Sequence, residues 1–151
     1  MDTSSPARLY CTLVGAVLVI AGIIGFFWSS SFDTGSAAVA RESDEVLGLL
    51  AVNGWHNVIG HLAIGLFLLA AAGSAPRQAA LAVGLVYIVL TVWGFLVVED
   101  GFGDILGLIP INTEDNILHL ILGLTGLAAG AATPAVGRHA ADGDRGAARS
   151  A

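Results

Sequence analysis

Between Leu9 and Trp28 the chain runs for twenty residues without a charge, LYCTLVGAVLVIAGIIGFFW. A helix crossing a bilayer needs about 20 apolar residues at 1.5 Å rise each. Helices suit that setting because every peptide group in hydrocarbon must be bonded internally. A second run of the same kind, AALAVGLVYIVLTVWGFLVV, occupies 79–98. Two further segments, 57–72 and 116–132, reach spanning length only if their Asn- and His-bearing beginnings lie inside the bilayer. Composition agrees, with 56% hydrophobic and 12% charged residues, against about a quarter charged in a soluble domain. The expected fold is an all-α membrane protein, a four-helix transmembrane bundle.

Arginine placement orients it. Arg8 precedes the first span, Arg77 lies in the turn GSAPRQ, and Arg138, Arg145 and Arg149 lie in the tail. Only Arg41 falls in the other loops, which hold nine of the twelve acids. The positive-inside rule then puts both termini in the cytoplasm and the acidic loops outside. The absence of lysine and the abundance of alanine and glycine fit a bacterial source, hence the plasma (inner) membrane. The AVA at 38–40 has the form of a signal-peptidase site, but the preceding apolar run is too long for a signal core. The first span is expected to be retained. Residues 137–151 are small and polar and are expected to form a disordered tail.

One phrase occurs twice. LGLLAVNGWHN at 47–57 returns as LGLIPINTEDN at 106–116, and HLAIGL at 61–66 returns as HLILGL at 119–124. The spans before them end in GFF and GFL. Repeat one covers 9–75 and repeat two 79–136, together one membrane domain at 1–136. Each unit holds an even number of spans, which makes a parallel repeat about an axis along the membrane normal. The heptapeptides VLGLLAV (46–52) and ILGLIPI (105–111) are too short to span. They are expected to lie at the outer interface or dip shallowly, with Pro110 interrupting any continuous helix. Gly123, Gly126 and Gly130 form a small-residue stripe below Asn116 and His119. Gly60 and Ile64 extend the Asn57 stripe, and Ala21 and Gly25 make a small-xxx-small pair. Such stripes let helix backbones approach closely. Trp28, Trp55 and Trp93 fit an interfacial aromatic belt. The single cysteine, Cys11, reads as a small packing residue near the cytoplasmic end of the first span.

The chemistry-bearing residues gather in the repeated phrase. They are Asn53, His56, Asn57 and His61 in one copy, with Asn112, Asp115, Asn116 and His119 in the other. Polar groups in hydrocarbon need partners, so these side chains are expected to face neighbouring helices. The favoured reading is polar glue at the hairpin–hairpin contact, with Asn53 and Asn112 capping helix starts and no cofactor. One alternative is a b-type haem held by His61 and His119 between the hairpins. Another is a divalent metal on the histidines and outer acids, though His56 and His61 diverge by about 140° on an α-helix. A quinone, lipid or proton site using histidine is the third. One asymmetry stands against every symmetric site: His61 follows its Asn by four residues and His119 by three. On an α-helix that offset rotates a ring by about 100°, and an ungapped alignment sets His119 against Gly60.

Enzyme templates are absent: the sequence has no GxSxG, HExxH, phosphate loop, CxxCH or dinucleotide fingerprint. No polybasic cluster points to nucleic acid. The expected partner is the lipid bilayer, with a homo-oligomer or another membrane protein left open. VNGWHNVIGHLAIG and INTEDNILHLILG, with acidic loops between four spans, resemble the bacterial family known as domain of unknown function 4383. The resemblance covers nearly the whole chain except the tail. It implies a small four-span plasma-membrane protein of actinobacterial type, and supplies no catalytic residues.

Overall fold

A computed structural model describes residues 5–135, so the expected tail at 137–151 lies outside the described residues. Helix α1 spans Pro6–Gly25. Ser5 caps it by accepting the Arg8 N–H, and Pro6 takes an opening position where its missing N–H leaves no bond unmade. A short helix, α2 (Ser36–Glu42), precedes strands β1 (Asp44–Val46) and β2 (Leu50–Val52). A π-helical segment, His56–Ala63, then runs directly into α3 (Ile64–Ala71). After a turn, Pro76 opens α4 (Pro76–Val97). Strands β3 (Phe102–Ile105) and β4 (Ile109–Asn112) lead into α5 (Thr113–Ala132). Helices α1, α4 and α5 are each long and apolar enough to cross a membrane, and His56–Ala71 is a shorter apolar helix.

The expectation of an all-α chain is corrected at two places. VLGLLAV and ILGLIPI each belong to an antiparallel hairpin. Asp44 pairs with Val52 and Val46 with Leu50 in the first, and Phe102 with Asn112 and Ile105 with Ile109 in the second. Each Leu-Gly-Leu makes the turn, with φ of 56° and 68° at Leu47 and Gly48, and 60° and 65° at Leu106 and Gly107. Two successive positive φ values give the turn hand that matches strand twist. Glycine takes that conformation freely, whereas leucine pays a steric penalty. The usual Asn-Gly or Asp-Gly marker is therefore missing from the turns that matter. It occurs instead at Asp100-Gly101, where Glu99 and Phe102 exchange backbone hydrogen bonds just ahead of β3.

Close helix approach organises the apolar part into two antiparallel pairs. A Cβ on Gly15 of α1 would lie 3.0 Å from Gly65 O of α3, and one on Gly84 of α4 3.0 Å from Gly123 O of α5. The small face of α1 is thus Gly15, Gly22 and Gly25, all buried, while Ala21 is only half-buried. That corrects the expected Ala21–Gly25 pairing. On α5 the expected stripe of Gly123, Gly126 and Gly130 is buried against α4 and Tyr10. Where the pairs meet, a core forms from Tyr10, Cys11, Leu18, Leu68, Val83 and Tyr87, with Tyr10 Oη donating to Leu122 O at 2.9 Å. At the end remote from the hairpins, Arg8 Nε donates to Ala72 O at 2.9 Å and Arg77 Nε to Thr133 O at 3.0 Å. Each guanidinium satisfies a carbonyl left over at the end of the partner helix.

Candidate functional site

The eight polar residues of the repeated phrase converge at the hairpin end of the helices. Asn53 and Asn112 begin the two helices that follow the hairpins. Asn53 Oδ1 accepts from His56 N at 2.8 Å, and Asn112 Oδ1 from Asp115 N at 2.9 Å. The Asp115 carboxylate in turn accepts from the Asn112 N–H at 3.1 Å, completing a capping box. The amide nitrogens reach across. Asn53 Nδ2 donates to Leu108 O at 2.7 Å, and Asn112 Nδ2 to Leu49 O at 2.7 Å. Each cap residue therefore binds the turn of the opposite hairpin, and β2 packs beside β4.

A third link breaks the symmetry. Asp115 Oδ2 also accepts from Ala51 N at 3.0 Å, joining α5 to β2. The position corresponding to Ala51 is Pro110, which has no N–H to give. The position corresponding to Asp115 is His56, which needs no such donor. His56 turns its ring toward Ala51 O at 2.7 Å, a bond that requires the proton on Nδ1. An acceptor stands where the other half offers a donor, and is replaced where it does not.

Asn57 and Asn116 sit one turn further in, both fully buried. They lie against Gly25 and Gly94, the glycines of GFF and GFL, where any Cβ would collide with the amide. Asn57 Nδ2 donates to Ser29 O at 3.1 Å. Asn57 Oδ1 and both amide atoms of Asn116 make no hydrogen bond among the described residues. The same holds for Nδ1 of His61, Nδ1 of His119 and the Tyr87 hydroxyl. Three imidazoles and a phenol gather here: ring centroids are 4.7 Å apart for His56–His61, 6.3 Å for His56–His119 and 5.2 Å for Tyr87–His119.

The π-helical segment explains how His56 and His61 meet. Five residues would part them on an α-helix, but a π turn bonds i to i+5 and brings them onto one side. The same widening absorbs the extra residue between Asn57 and His61. Gly65 of α3 then packs on α1 as Gly123 packs on α4, and His61 rather than Gly60 corresponds to His119. The expected 100° offset is cancelled. Gly60 instead lies against the His56 ring, where a Cβ would come 2.6 Å from Cδ2.

Sequence reasoning collected all eight side chains but missed Tyr87, the two glycines under the amides, and the backbone of Leu49, Ala51 and Leu108. The repeated GFF/GFL phrase was the available signal for the glycines. A mid-span tyrosine, whose hydroxyl needs a partner when buried, was the signal for Tyr87. No group of three or more His, Cys, Asp or Glu is placed to hold a metal ion among the described residues.

These features define a mostly helical chain with three apolar helices of membrane-crossing length and a polar knot between two β-hairpins. The chain matches the family described as domain of unknown function (DUF4383) over residues 8–132 and belongs to that family. Neither the curated proteins nor the solved structures gave a match.

Proposed function

We propose that this is a structural or accessory protein of the bacterial plasma membrane, spanning it four times as two tandem hairpin units with both termini in the cytoplasm. The observation that carries the reading is the reciprocal pair of bonds from Asn53 to Leu108 O and from Asn112 to Leu49 O. Together with the bond from Ala51 N–H to Asp115, they tie the first half of the chain to the second. Charge supports the orientation: Arg8 and Arg77 stand at one end, and the acids of the connecting segments at the other. The apolar helix His56–Ala71, shorter than the other three, is the fourth span.

The test is equilibrium unfolding of the purified protein in mild detergent, with an absorption spectrum of the same sample. Asn53→Ala and Asn112→Ala are each expected to lower stability by about 1–2 kcal/mol, since each removes a helix-capping acceptor and one hydrogen bond between the hairpins. The spectrum is expected to show protein absorption alone. A Soret band lost in His61→Ala or His119→Ala would replace this reading with a haem protein. Unchanged stability in both Asn variants would remove the structural role.

A further inference from the structure

The two hairpins are not equally covered. Helix α2 precedes the first hairpin in the chain, yet it packs against the strands of the second. Its cap residue Gly35 donates its N–H to Gly107 O in the second turn at 2.8 Å. A Cβ on Gly107 would lie 3.2 Å from Gly35 Cα, whereas one on Gly48 of the first turn would meet nothing within 4 Å. Ile105 is buried where its counterpart Val46 is half-buried, and Leu108 is half-buried where Leu49 is 55% exposed.

The turn left bare is apolar and strained. Leu47 is 78% exposed and holds a φ of 56°. Facing water, a leucine forgoes the gain of entering hydrocarbon, and the left-handed backbone adds a steric cost. Glycine or asparagine, the usual residues of such a turn, would remove both. A side chain kept in that conformation points to a contact beyond the chain itself. Leu106 repeats the combination, but its neighbour Gly107 is held by α2.

Charge is segregated along the first hairpin. Asp44 and Glu45 stand at its open end, and from Val46 to Pro76 the sequence has no Asp, Glu, Lys or Arg. From Asp44 to the tip at Leu47 is about 10 Å at the rise of a strand. The hairpin's flank also continues the outer surface of α1. Val46, Leu50 and Val52 line a groove of about 410 Å³ together with Leu13, Val17 and Ile24. Those three residues are exposed along a helix of membrane-crossing length.

We propose that the first hairpin is seated in the outer leaflet of the bilayer. Leu47 and Leu49 lie in hydrocarbon beneath the headgroups, and Asp44 and Glu45 lie on the water side. Lipid is the occupant because the bare tip is uncharged and continuous with the lipid-facing side of α1. The inference rests on the membrane reading above and adds a lipid contact that the clamp does not require. Glycine at position 47 would relieve the backbone but leave the tip less to insert.

The experiment is nitroxide labelling of the full chain in phospholipid nanodiscs. Cys11→Ala removes the one native thiol, and Asp44→Cys, Leu47→Cys, Leu49→Cys and Val17→Cys are labelled one at a time. All four positions are exposed, so each accepts a label without disturbing the core. Collision with oxygen, which concentrates in hydrocarbon, is compared with collision with a water-soluble nickel chelate. The oxygen-to-nickel ratio at Leu47 and Leu49 is expected to exceed that at Asp44 several-fold and to approach that at Val17. Nickel-favoured collision at Leu47 and Leu49, with Val17 still favouring oxygen, overturns the proposal and leaves the membrane reading standing. Protection from both reagents with spin–spin broadening also overturns it, by making the tip a contact between copies. Nickel-favoured collision at Val17 removes the membrane reading itself, and the proposal with it.

Discussion

The two halves of this protein share a plan and differ in what they place on it. Each runs from an apolar helix through a hairpin turned on Leu-Gly-Leu into an Asn-capped helix, with an amide lying on the preceding helix's glycine. The second half is the plainer version: a tight Asp100-Gly101 turn, an unbroken α5, and a capping box. The first half inserts α2 before its hairpin and one extra residue after Asn57, taken up as π-helix. That half also carries two of the three clustered histidines and most of the groove. Shared positions hold the fold, and the departures from them gather around His61.

The comparison can be broken most severely at the shared positions. Gly25→Val and Gly94→Val each drive a side chain into a buried amide, Asn57 or Asn116, with Ile111 a second obstacle at Gly94. Each is expected to lose about 3 kcal/mol or more by overpacking, Gly94→Val the more, read as detergent-phase unfolding. Equal stability to the parent chain would mean that the amides do not sit where described. Asp115→Ala removes the acceptor of two backbone N–H groups, from Ala51 and Asn112. A loss of about 3 kcal/mol is expected, against about 1 kcal/mol for His56→Ala, whose ring bonds only its own half's Ala51 O. Comparable losses would erase the asymmetry between the halves.

Smaller effects sharpen the comparison rather than break it. Deleting Gly60 restores in the first half the Asn–His spacing of the second, and α-helix should replace π-helix there. The expected change is about 1 kcal/mol, within the ordinary range for single alterations, together with slower amide exchange across 56–63. A collapse of the fold would show the widened turn to be structural. Leu47→Gly removes the steric penalty of a positive φ at a side chain that is 78% exposed, and so sacrifices little packing. A gain of about 0.5–1 kcal/mol is expected in thermal unfolding, with Leu106→Gly behaving alike.

Much of this was legible in the sequence because hydrocarbon imposes few solutions. Uncharged runs of spanning length announced the long helices within about three residues of their ends. The doubled phrase gathered all eight polar residues of the knot. What stayed illegible involved backbone rather than side chains. Leu-Gly at a turn needing two positive φ values does not carry the expected composition, so Leu47 and Leu106 concealed both hairpins. A π turn has no residue signature, so His61 was read on α-helical geometry and set apart from His56. Backbone acceptors such as Leu49 O and Leu108 O have no identity in a sequence at all.

The crossed amides also bear on the order of assembly. Asn53 and Leu108 are 55 residues apart in the chain, and Asn112 and Leu49 are 63 apart. When the ribosome has delivered the first hairpin, neither acceptor nor donor for it has been made. The first half must wait with its cap amide and turn carbonyl without these partners, and both bonds form only once the second hairpin arrives. The knot is a closing step, and a chain truncated before Leu108 would present half of it to any other copy that carries the rest.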